Sequence, residues 1–323
     1  ALLNLLAQGA VIAAVLWPST RTDKTFFDLL KDAFGAPAAK IVYGALAAFL
    51  LFSALLPMLE QRAFVMQVLY ENVPSVLSYA PFFAVSVFAC MKGFKTIGRA
   101  ADIALPLFAL SFAVLILLAL PEADFGALLP VGRTGAGILR GSLYGLNWYT
   151  ECLYPLLFLG HFEREKHGTL KVMAAFAAGA LAVLLFLAVF YGIFEDIAVL
   201  QQNSIAHISK YTTAFTSLGR IDYLFIFAMT IVFVFSLCVP LQMCVHCVQA
   251  VAPRLDPIWP SLAVNGILLA LVLLLNYSFL EMQQLITQRL WFVFVLFAYL
   301  VPAAALLLQR RERAACGKEE NRE

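Results

Sequence analysis

Tyr144-Gly-Leu-Asn-Trp-Tyr-Thr-Glu-Cys-Leu-Tyr-Pro155 is the stretch on which the fold turns. It lies in an apolar span running from about Gly141 to Gly160, which puts Glu151 near mid-bilayer. A carboxylate at that depth is costly and faces a cavity, a partner or a ligand rather than lipid. Gly145, Asn147 and Pro155 weaken a continuous helix around it. The stretch reads as an interrupted transmembrane helix carrying a small-molecule site.

The surrounding sequence supports a membrane setting. Of 323 residues, 63% are hydrophobic and only 13% charged, more apolar surface than a water-soluble domain of this size can hide. The apolar runs are continuous rather than alternating, which excludes a membrane barrel. The expected fold is an all-α polytopic membrane protein, a single transmembrane domain over 1–323. Nine spans are expected, at roughly 1–17, 39–60, 73–91, 102–120, 139–160, 171–194, 221–249, 259–277 and 290–309, followed by a cytoplasmic tail over 310–323. The chain opens inside an apolar run, so one further helix is expected upstream.

Charge placement sets the expected orientation. With residue 1 outside, sixteen of the 22 Lys and Arg fall on inner segments, including Lys92, Lys95, Arg99 and the cluster from Arg310 to Arg322. The excess of inner positive charge favours a cytoplasmic C-terminus. The outer connection 196–220 has apolar residues at Ile205, Ile208, Tyr211, Phe215 and Leu218, a helical period that reads as a lid or as a plain interfacial helix. The six Cys are scattered and form no disulfide framework. No metal site, cofactor motif, nucleotide-binding loop or nucleic-acid surface is expected, and no enzymatic chemistry.

The candidate ligand-binding residues are Tyr144, Gly145, Asn147, Trp148, Glu151 and Thr230. Glu151 reads as a partner for a ligand ammonium, a proton site or a hydrogen-bond hub, or else as a polar lock between helices. Gly145 allows a close approach of ligand or backbone, or simple helix packing. Asn147 offers a donor and an acceptor among apolar neighbours. Tyr144, Trp148 and Tyr149 suit an aromatic wall for an apolar group or a cation. Thr230 and Ser236 punctuate the 221–249 span and are placed toward the same cavity. Asn4 and Gln8 share one face of the first span, while Glu60 with Gln61 and Arg62 reads as the outer end of the second.

Three motifs carry a family resemblance. They are Lys92-Gly-Phe-Lys-Thr-Ile-Gly-Arg-Ala-Ala-Asp-Ile-Ala-Leu-Pro106, the acidic outer loop from Leu120-Pro121 to Leu129-Pro130, and Ile138-Leu-Arg-Gly141-Ser-Leu with the broken span after it. The chain resembles the permease-like B subunit of bacterial spore germinant receptors, a family related to amino acid/polyamine/organocation permeases. The resemblance implies ten helices in two inverted five-helix repeats, with the first helix of ten missing ahead of residue 1. Residues 1–138 would then be the remainder of repeat one and 139–309 repeat two. Relatives place Pro, Gly and Glu close together in the broken span, whereas here the run is Asn147-Trp-Tyr-Thr-Glu151.

The resemblance further implies a subunit of the spore inner membrane that binds a small-molecule germinant, such as an amino acid. It would work beside an A-type membrane subunit and a C-type lipoprotein subunit. The alternative on the same fold is a proton-coupled amino-acid or amine transporter.

Overall fold

The computed structural model describes residues 1–19, 24–68, 75–128, 135–145, 150–160, 167–200, 208, 222–275 and 278–307. Those residues are helical throughout, in α, 3-10 and π turns, with short connections. Six helical runs are long and apolar enough to cross a membrane: Ala36–Phe64, Phe94–Glu122, Gly168–Phe194, Phe227–Val251, Ile258–Leu275 and Phe279–Leu307. Leu2–Leu16 and Tyr79–Lys92 are apolar but shorter. The protein is therefore an all-α polytopic membrane protein.

In chain order the helices are α1 (Leu2–Ser19), α2 (Phe26–Phe34), α3 (Ala36–Ser53), α4 (Leu55–Val68), α5 (Ser75–Lys92) and α6 (Phe94–Ala119). There follow α7 (Gly135–Tyr144), α8 (Tyr154–Leu157), α9 (Gly168–Phe194), α10 (Asp222–Val251), α11 (Ile258–Leu275) and α12 (Phe279–Leu307). The last contains π turns at Ile286–Leu290 and Leu296–Leu300.

The centre of the bundle is the pairing of α3 with α10, flanked by α5, α6 and α11. Tyr43, Leu46 and Leu50 of α3 are buried together with Leu241, Met243 and Cys247 of α10. Lipid tails are as apolar as these side chains, so tight packing and interhelical hydrogen bonds hold such a core rather than escape from water. Exposed Ile103, Leu110 and Leu117 on α6, Leu170 and Leu181 on α9, and Leu274 on α11 face outward, as a lipid-facing belt requires.

The structure differs from the sequence reading in two places. The residues between the first two expected spans hold an unanticipated helix, α2, with Phe26, Leu29 and Leu30 buried on one side. Its N-terminus is a reciprocal cap in which the Thr25 hydroxyl accepts from the Asp28 amide and the Asp28 carboxylate accepts from the Thr25 amide. The turn expected over 92–101 shrinks to Gly93 alone. Its φ of 81° is open to glycine and strained for other residues, so α6 starts at Phe94 immediately after α5. The 139–160 segment, read from sequence as an interrupted helix, is described below. Of the proposed lid, Ser204–Leu218, only Ile208 lies within the described residues. It is buried beside Leu115, Ala119, Val189 and Phe190 at one end of α6 and α9. The tail 310–323 lies outside the described residues.

Candidate functional site

α7 ends at Tyr144, and a 3-10 turn at Glu151–Leu153 leads into α8. Asn147, Trp148 and Tyr149 lie outside the described residues between them. The far side of the interruption is firmly seated. Cys152, Leu153, Leu156 and Leu157 are buried, and the Cys152 thiol donates to the carbonyl of Ala298 at 2.9 Å. That carbonyl belongs to the second π turn of α12.

α1 braces both ends of the interruption. Asn4 and Gln8 are buried and four residues apart, one helical turn. The Asn4 amide nitrogen donates to the carbonyl of Ser142 at 3.0 Å, and the Ser142 hydroxyl donates back to the Asn4 side-chain oxygen. Gln8 Nε2 donates to Glu151 Oε2 at 2.9 Å. Gly145 belongs to this brace: a Cβ there would sit 3.1 Å from Asn4 Nδ2.

Glu151 opens onto a cavity of about 280 Å³. Thr150, Glu151 and Tyr154 form one wall; Ser53, Leu56, Pro57 and Glu60 of the α3–α4 run form a second. Phe235, Ser236, Val239 and Pro240 of α10 form a third, and Phe294, between the two π turns of α12, completes it. Phe294 is held from behind by Phe49 and Phe52, with ring centroids 5.3 and 6.0 Å away. Glu60 has no hydrogen-bond or ion-pair partner among the described residues.

Two walls repeat one device. Phe52-Ser-Ala-Leu-Leu-Pro57 and Phe235-Ser-Leu-Cys-Val-Pro240 both place a serine four residues before a proline. Proline has no N–H, so Pro57 and Pro240 cannot donate to the carbonyls of Ser53 and Ser236. At the first site the helix breaks between α3 and α4; at the second the helix continues through Pro240. In both, the serine hydroxyl donates to its own helix, to Leu50 O at 2.9 Å and to Phe233 O at 3.0 Å.

Of the residues expected at the site, Glu151 lines the cavity and Gly145 packs against Asn4 instead. Tyr144 ends α7, and the direction of its side chain is outside the described residues. Thr230 lies on α10 but does not line the cavity, whereas Ser236, six residues on, does. Sequence reading missed Glu60 as a site residue. The Ser-x-x-x-Pro repeat was the signal that could have found it, because Ser53, Pro57, Ser236 and Pro240 all line the same cavity as Glu60.

Among the described residues no group of three or more His, Cys, Asp or Glu is gathered as for a metal ion. No curated protein matches the chain. The family described as "Spore germination protein" matches residues 2–254.

Proposed function

The chain belongs to the spore germination protein family of membrane permeases, and from that premise we propose that it is the ligand-sensing subunit of a germinant receptor. The family's members are non-catalytic transport or receptor subunits, so the chain is not an enzyme. In this reading a small nutrient, an amino acid or similar, enters the cavity beside Glu151 and favours one of two arrangements of the broken helix. A ligand shifts such an equilibrium only by its difference in affinity for the two states. The observation that carries the reading is the Glu151 carboxylate on the wall of the cavity, in a 3-10 turn beyond the end of α7 at Tyr144.

The finer architecture belongs to the same proposal. Residues 1–138 are the remainder of one inverted repeat and 139–309 a second, with the tail in the cytoplasm and the spore inner membrane as the location. The paired Ser-x-x-x-Pro devices, one in each half, support that division. An A-type membrane subunit and a C-type lipoprotein subunit are the proposed partners in a multi-subunit receptor.

The test uses spores carrying Glu151→Gln or Gly145→Leu in the full-length protein. Germination in response to nutrient is expected to fall in both while receptor assembly, measured by co-purification, stays intact. An unchanged response with intact assembly ends the assignment. Uptake into proteoliposomes separates the second reading: concentrative, proton-driven flux by the subunit alone marks a transporter.

A further inference from the structure

We propose that the cavity recognises its ligand by a protonated amine, held between Glu60 and Glu151. This rests on the reading of the cavity as the germinant site and adds the chemical class of the group it reads.

The lining is unbalanced in charge and in hydrogen bonding. Two carboxylates face one space, and none of the lining residues is Lys, Arg or His. Gln8 is already committed to Glu151, while Glu60 has no partner among the described residues. The hydroxyls of Ser53 and Ser236 spend their protons on Leu50 and Phe233, so each turns only lone pairs outward. Pro57 and Pro240 withhold the amide protons that the Ser53 and Ser236 carbonyls would otherwise accept from them. The site thus offers many acceptors and few donors.

An alkylammonium is the complement: one positive charge, three donors and no acceptor. A carboxylate or phosphate would meet two like charges, with only the Thr150 and Tyr154 hydroxyls as side-chain donors on the lining. Leu56, Val239 and Phe294 suit a short apolar chain behind the charge. The cavity volume, about 280 Å³, lies at the small end of ligand pockets and favours a ligand of few heavy atoms.

The test titrates the full-length protein in lipid nanodiscs with n-propylammonium chloride, n-propanol, sodium propionate and sodium chloride at constant ionic strength, reading thermal unfolding. Saturable stabilisation by propylammonium alone is expected. Glu60→Gln should weaken it by more than about ten-fold, because one partner of a desolvated charge contact is lost. Absence of a saturable propylammonium effect overturns the assignment. So does an equal effect from propanol, propionate or sodium chloride, or an unchanged affinity in Glu60→Gln that unfolds at the parent temperature. If Glu60→Gln does not fold, the ligand series on the parent protein decides alone. Should the amine assignment fail while Glu151→Gln still silences spores, the germinant-site reading stands; if Glu151→Gln leaves assembled receptors responsive, that reading falls instead.

Discussion

Asn4 and Gln8 hold the interruption in shape by spanning it from a neighbouring helix. Replacing Asn4 by Leu strands the Ser142 hydroxyl and removes a buried amide contact. A loss of about 1–3 kcal/mol is expected, read as a lower unfolding temperature in nanodiscs. Gln8→Leu removes the side-chain amide that donates to Glu151. It is expected to change the nutrient concentration for half-maximal germination with little change in assembly. Glu151 was legible from sequence because depth alone makes a carboxylate conspicuous. Glu60 was not, since Gln61 and Arg62 follow it and the trio imitates a helix end at the water boundary. In fact α4 continues to Val68, and Glu60 lies inside the bundle.

At the scale of an element, Pro240 sets helix stability against site chemistry. Pro240→Ala restores an amide that can close onto the Ser236 carbonyl. The variant should be more resistant to heat, by up to about 3 kcal/mol if the helix straightens freely. It should also respond less to nutrient, since the Ser236 carbonyl is then taken up within the helix. A variant both stabilised and fully responsive would remove the carbonyl from the account. α2 offers a pH test. Lys24 Nζ lies 2.8 Å from the Asp32 carboxylate and holds that carboxyl below its ordinary range. The folded value is depressed, so this contribution is present above the unfolded pKa of about 3.9 and is lost as pH falls through the folded value. Hydrogen-exchange protection of α2 should decline across that acid window, and less so in Lys24→Met. The helix itself was legible: Phe26, Leu29 and Leu30 recur at helical spacing, and Thr25 and Asp28 form its cap. It escaped notice because nine residues are too few to register as a span.

For the whole molecule, hydropathy identified the long helices well, because twenty apolar residues in lipid have one solution, a hydrogen-bonded helix. It could not tell a span from a broken span, since Gly141–Gly160 is apolar whether or not its backbone is continuous. The outward leucines of α9 give a direct check on the setting. Tryptophan placed at Leu181, two-thirds exposed, should be quenched by brominated acyl chains, while tryptophan at exposed Phe125, beyond α6, should be quenched less. Equal quenching would displace the bilayer from the position drawn here. Gly93 carries a mechanical corollary. A single residue joins α5 to α6, and slack of that length permits no independent sliding. Whatever slides one arm along its axis must carry the start of the other with it, so a shift begun where α5 packs on α10 reaches α6 through Gly93.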